Sequence, residues 1–66
     1  MFNLHRLRIL REVAARGSIV GAAEALYMSP SGVSQQMATL ERESGVDLLE
    51  RVGRGVRLTP AGERLV

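Results

Sequence analysis

The sequence has no cysteine, no lysine, one histidine, and no apolar run approaching the roughly 18 residues that a membrane-spanning helix requires. Without cysteine, neither a disulfide framework nor a thiolate metal site can brace the fold, and His5 alone cannot hold a metal ion. The first residues lack the apolar stretch of a secretory signal, so a cytoplasmic, reducing location is expected. At 66 residues the chain is one small domain with a thin core, too short to bury a substrate cleft behind a second layer. No Ser-His-Asp, metal-ligand or phosphate-loop constellation is present, so an enzyme is not expected and no cofactor is implied. Stability has to come from packed aliphatic side chains.

Net charge is also low. The formal net charge is +2, and all nine basic residues are arginine. Arg51, Arg54 and Arg57 fall within seven residues that contain no acid. Forked guanidinium donors at that density suit phosphate or a nucleic-acid groove, although an ordinary solvated face has the same composition. A second gap is more telling: from Pro30 to Leu40 there is no charged residue at all.

What is present reads as helices. Between Asn3 and Arg16, residues Leu7, Leu10, Val13 and Ala14 share an arc of about 120° at helical spacing, with Leu4 at its edge. Asn3 is a suitable N-cap and Gly17 a suitable stop. Ser18 opens a second, short helix that gathers Ile19, Ala22, Ala23 and Leu26 on one side. The two alanines let another helix approach closely. Ser29-Pro30 then starts a third helix over residues 30–44, serine capping and proline filling the first helical position. Its stripe is Val33, Met37 and Leu40, and Gly45 ends it. Met28 and Met37 read as core filler, Tyr27 as an edge residue, and His5 as an exposed position on the first helix.

Helix, three-residue turn, helix is the spacing of the DNA-reading helix-turn-helix, and the far side of the third helix fits that use. Ser31, Gln35, Ala38 and Arg42 lie opposite the aliphatic stripe, flanked by Ser34 and Thr39. Small hydrogen-bonding side chains suit a major groove about 12 Å wide, where glutamine can bond adenine bidentately. An unremarkable exposed polar face is the competing explanation.

After Gly45 the pattern becomes extended: Leu48-Leu49-Glu50-Arg51, a Gly53-Arg54-Gly55 reversal, then Val56-Arg57-Leu58 with Val56 and Leu58 inward and Arg57 outward. An arginine at the tip of such a ribbon can enter a narrow A·T-rich minor groove. Thr59-Pro60 begins a last helix of barely two turns, which is marginal alone and suggests a piece of a longer protein. The fold class is mainly α: a winged helix-turn-helix of three helices and a two-stranded wing over residues 1–58, with the start of a linker helix over 59–66.

These residues resemble the LysR-type transcriptional regulators. The resemblance runs through Leu4-x-x-Leu7-x-x-Leu10, Gly17-Ser18-Ile19-x-x-Ala22-Ala23-x-x-Leu26, Ser29, and Val33-Ser34-Gln35-Gln36-Met37-x-x-Leu40-Glu41. It continues through Gly45-Val46-x-Leu48-Leu49-Glu50-Arg51, Arg54, Val56 and Leu58-Thr59-Pro60-Ala61-Gly62, covering essentially the whole chain. It implies a sequence-specific double-stranded DNA-binding domain, with base or phosphate contacts at Pro30, Ser31, Ser34 and Gln35 on the third helix. It also implies wing contacts at Arg51 and at Arg54, the latter in the minor groove, and phosphate contacts near Ser18 and Val20. A homodimer or tetramer formed through the helix beginning at Thr59, a pseudo-palindromic operator, no membrane partner, and an inducer-binding C-terminal domain outside this sequence complete the implication.

Three departures qualify it. Pro30-Ser31 stands where the family commonly has Gln-Pro, Gln35 where arginine is frequent, and Val20 where a hydroxyl residue is common, so that any phosphate contact at Val20 must use its backbone. Two other readings remain open at this stage: a winged helix used as a protein-interaction module, and a MarR-like regulator with a different dimer architecture.

Overall fold

A computed structural model describes residues 3–66. In order, the chain forms α1 (Leu4–Arg16), α2 (Ile19–Leu26), α3 (Pro30–Ser44), β1 (Leu49–Val52), β2 (Gly55–Leu58) and α4 (Pro60–Leu65). The capping chemistry accounts for the helix boundaries. The side chain of Asn3 accepts from the amides of His5 and Arg6, Ser18 Oγ from Gly21, Ser29 Oγ from Gly32, and Thr59 Oγ1 from Gly62. Each bond satisfies an amide that the helix itself cannot. Gly17 and Gly45 end α1 and α3 in the left-handed conformation and return their amides to Val13 and Glu41. Tyr27 ends α2 in the same conformation without being glycine, and its ring stands in solvent at 98% exposure, as its edge position predicts.

The core joins the three helices. Leu10 and Val13 from α1, Ala22 and Ala23 from α2, and Val33, Met37 and Leu40 from α3 are buried together, with Leu48 sealing one end. Met28 is half-buried and packs against this cluster. The predicted α1 arc was too narrow. Ile9 is fully buried although it lies beyond the Leu7/Leu10/Val13/Ala14 stripe, because α1 is flanked by α2, α3 and β2 and buries a broader arc. Leu4, at the edge of that stripe, is 81% exposed.

β1 and β2 form an antiparallel two-stranded sheet in which Leu49 faces Leu58, Glu50 faces Arg57, Arg51 faces Val56 and Val52 faces Gly55. A two-residue turn joins them. Gly53 has φ +56 and Arg54 does not, the pattern of a type II′ reversal that requires glycine first. Val56 and Leu58 pack on the core while Arg57 points outward, as the alternation predicts.

The last helix is not loose. Leu48 accepts a backbone hydrogen bond from Thr59 (3.0 Å), the Thr59 hydroxyl donates to the carbonyl of Asp47 (2.7 Å), and Ala61 and Leu65 pack against the core. Gly62 is buried so tightly that an added Cβ would collide with the carbonyl oxygen of Leu48, and backbone cannot swing aside as a side-chain tip can. Gly62→Ala should therefore lower stability by about 1–3 kcal/mol, the usual range for overpacking, despite alanine's better helix propensity. Urea denaturation of the two chains measures it, and an unchanged midpoint would show that α4 does not pack as described.

Candidate nucleic-acid interface

The exposed side of α3 has the composition and orientation that its spacing predicts. Val33, Met37 and Leu40 are buried, so the helical period turns Pro30, Ser31, Ser34, Gln35, Ala38 and Arg42 to solvent. Among the described residues Ser34 and Gln35 make no side-chain hydrogen bond, and Ser31 approaches only Ser29 Oγ, at 3.3 Å. Donors and acceptors on this face are therefore free to meet an external partner. Ser29 is the residue that fixes where the face begins, since its hydroxyl accepts from Gly32 at 3.0 Å.

Five of the residues singled out in the sequence converge. Ser18 and Val20 from the start of α2, Ser34 from α3, and Arg51 and Arg54 from the wing line one cleft of about 290 Å³, together with Ile19, Gly55 and Val56. Pro30, Ser31 and Gln35 stand outside this cleft on the exposed side of α3. What closes the cleft is a backbone contact: the amide of Val56 donates to the carbonyl of Gly17 at 3.0 Å, tying β2 to the α1–α2 turn. Gly55 sits so close to that carbonyl that a Cβ there would collide with it. The Ser18 hydroxyl caps Gly21 at 2.8 Å, and the side chain of Val20, 56% exposed, offers only an apolar surface.

The register divides the three-arginine cluster. Arg57 lies across from Glu50 on the outer face of the wing and pairs with it at 3.0 Å, whereas Arg51 lies across from Val56 on the opposite face, at the cleft. Among the described residues, Arg51 and Arg54 have no carboxylate within ion-pair distance. Arg6 is committed elsewhere, donating to Gln36 at 2.9 Å and to Glu43 at 3.1 Å between α1 and α3. Unneutralised positive charge is thus available beside α3, although Arg8, Arg11, Arg42 and Arg64 are likewise without an ion pair among the described residues.

Sequence reasoning missed Glu41 as anything beyond part of a signature. One of its carboxylate oxygens, Oε2, accepts from the amides of both Leu48 (2.8 Å) and Leu49 (3.1 Å), at the start of the wing. A signal was present: an acid near a helix C-terminus faces the negative end of the helix dipole and is locally unfavourable, so it calls for another partner.

Over residues 4–63 the chain matches the family described as bacterial regulatory helix-turn-helix protein, lysR family. It is 43% identical over 65 residues to a probable RuBisCO transcriptional regulator of Cyanophora paradoxa, which covers 98% of this chain and 20% of that protein. Among solved structures it is similar to the full-length LTTR LysG of Corynebacterium glutamicum, with a TM-score of 0.92 and 39% identity over 100% of this chain and 23% of the other. It is also similar to CbnR_DBD in a crystal structure of a complex with DNA, with a TM-score of 0.89 and 38% identity over 96% and 72% of the two chains. The chain spans about a fifth of the length of the curated relatives it matches. Among the described residues, no helix is long and apolar enough to cross a membrane.

The Ser29 cap can be tested without any partner. Ser29→Ala should destabilise the chain by about 1 kcal/mol through loss of the bond to Gly32, read from the urea midpoint. If Ser29→Ala were neutral, the cap would not be what fixes the start of α3.

Proposed function

Because the chain belongs to the LysR family of bacterial regulatory helix-turn-helix proteins, we propose that it is the sequence-specific, double-stranded DNA-binding domain of a transcriptional regulator. One observation carries the reading: an exposed, hydrogen-bonding helix face, uncharged from residue 30 to residue 39, stands beside a cleft that holds two arginines free of acidic partners. Such a surface separates the two tasks of DNA recognition, since phosphate contacts hold the duplex in register and base contacts read it.

In this reading α3 enters the major groove. Pro30, Ser31, Ser34 and Gln35 meet bases and phosphates, with Gln35 suited to adenine through paired donor and acceptor. The cleft takes the flanking backbone. Arg51 and the Ser18 hydroxyl face phosphate oxygens there, and the Val20 amide, which has no acceptor within its own helix, donates to one. Arg54, at the tip of the type II′ turn, reaches into the adjacent minor groove, where narrow A·T-rich stretches deepen the negative potential. No catalytic role is proposed.

Residues 1–58 then constitute the reading domain and 59–66 the beginning of a dimerising linker helix. Two such domains in a full-length dimer or tetramer would place their α3 helices about one DNA turn, roughly 34 Å, apart on a pseudo-palindromic operator. Inducer binding belongs to the remaining length of a protein like its relatives. The CbnR relative, solved as a DNA complex, supports this reading for a chain 38% identical to it.

Salt separates this function from a winged helix that binds only protein. Log affinity for a duplex should fall with log salt by about 0.9 per phosphate neutralised, and a slope near zero would sink the proposal. Arg51→Ala should weaken binding evenly across sequences and make the slope shallower by about 1.

Base reading has its own test, made with duplexes recovered by the chain from a randomised pool. Gln35→Ala should relax preference at one position by about 1–3 kcal/mol, and Arg54→Ala should weaken binding chiefly where the flanks are A·T-rich. Identical selected sequences for Gln35→Ala and the parent would show that Gln35 reads no base.

A further inference from the structure

We infer that Glu41 is a positioning residue for the DNA-reading surface: its carboxylate, carried on α3, sets where the wing stands relative to that helix. The inference rests on the function proposed above, because the wing matters only if Arg51 and Arg54 meet DNA while α3 does.

The geometry singles out Glu41. It is half-buried, and its Oε2 accepts from two consecutive amides, Leu48 and Leu49, at the point where the loop after α3 becomes β1. Charge-assisted bonds of this kind are stronger than neutral ones. The connecting loop is only residues 45–48, and β1 makes no extended packing contact with α3; among the described residues the bond to Leu49 is the hydrogen bond that joins helix to strand, and the bond to Leu48 holds the residue just before it. The other side of Leu48 is occupied as well, its carbonyl accepting from Thr59 and abutting Gly62. β2 is anchored separately, through Val56 to Gly17 on the α1–α2 turn.

Leverage makes the tie consequential. At about 3.3 Å per residue, the tip of the wing lies roughly 17 Å from Leu48, so a rotation of about 5° there would displace Arg54 by about 1.5 Å. That is enough to break a hydrogen bond to the minor groove while the contacts of α3 stay in place.

The test uses the full 66-residue chain and the variants Glu41→Gln and Glu41→Ala. Glutamine keeps an oxygen where Oε2 stands and can accept the same two amides, whereas alanine cannot. Without DNA, NMR should show Glu41→Gln sharing the parent's wing orientation, judged from residual dipolar couplings of residues 49–57 against those of α3. In Glu41→Ala those couplings should shrink relative to the helix, and the Leu48 and Leu49 amides should exchange about tenfold faster or more. If Glu41→Ala fails to fold, Glu41→Asp, one methylene too short, takes its place with the same expectation. Wing couplings unchanged in Glu41→Ala, or Glu41→Gln behaving like Glu41→Ala, overturn the inference.

The second arm adds a duplex of about 30 base pairs rich in A·T and asks how much Arg54→Ala weakens binding in each background. A loss of about tenfold in the parent and in Glu41→Gln, shrinking to within about threefold in Glu41→Ala, is the coupling expected. Equal losses in all backgrounds would contradict it. Should the parent not bind the duplex, or not respond to Arg54→Ala, the DNA reading or its wing component fails instead, and the couplings measured without DNA still decide whether Glu41 sets the wing.

Discussion

The burial of Val33, Met37 and Leu40 fixes the rotation of α3 about its own axis, and the character of the opposite face follows from it. These side chains are fully or almost fully buried, and burial of one aliphatic side chain is worth about 1.5–3 kcal/mol. Turning the helix over would expose all three and would bury Ser34 and Gln35 without partners, which is unfavourable a second time. A helix with charges on its outer side could be held as firmly. What distinguishes this one is that the same 3.6-residue period which locks its aliphatic stripe inward presents an uncharged strip from residue 30 to residue 39.

Much of this was legible in the sequence because the signals are local. Asn3, Ser18, Ser29 and Thr59 act as caps through their own side chains, and Gly17 and Gly45 adopt the left-handed conformation, each as its position predicts. The hairpin was equally readable, since its glycine-flanked turn and its inward Val56 and Leu58 are properties of adjacent residues. The family match over residues 4–63 also decides between LysR-type and MarR-like relatives, which the fold class alone did not. The elements that escaped are those that depend on a distant neighbour. Ile9 is buried only because α1 is flanked by α2, α3 and β2, and a charged residue such as Glu41 reads as solvent-facing until the loop that it captures is seen. The arginine cluster shows the same limit. Three guanidiniums close in sequence are parted by strand alternation, and the antiparallel register hands one of them to Glu50.

That partition changes what the modest net charge means. Exposed pairs such as Arg57–Glu50 and Arg16–Glu12 contribute about 0–1 kcal/mol to stability, so their effect is more on where the field points than on whether the chain folds. Neutralising Arg57 on the outer face leaves Arg51 and Arg54 as the wing's free cations, both lining the cleft beside α3. A net charge of +2 is weak as an average, but two of the arginines without an acidic partner stand where α2, α3 and the wing meet. In the proposed function these two arginines add to long-range attraction, and the helix face next to them supplies discrimination.

The side chains proposed to read bases make the frame itself part of recognition. Where the family commonly carries Gln-Pro at the start of this helix, Pro30 takes the first helical position and leaves Ser31 with a hydroxyl reaching one bond beyond its Cβ. Gln35 stands in place of the frequent arginine, with shorter reach and no charge. Short, neutral contacts tolerate little displacement, because their hydrogen bonds weaken steeply beyond about 3.2 Å and no long-range attraction compensates. A long flexible guanidinium could follow a wandering base edge, but a serine cannot. Specificity of this kind requires α3, the α2 N-terminus and the wing to approach the duplex as one rigid body. The backbone contacts at Gly17, Leu48 and Gly62, each at or beside a place where a larger residue would not fit or an amide would be orphaned, are what hold those three elements together.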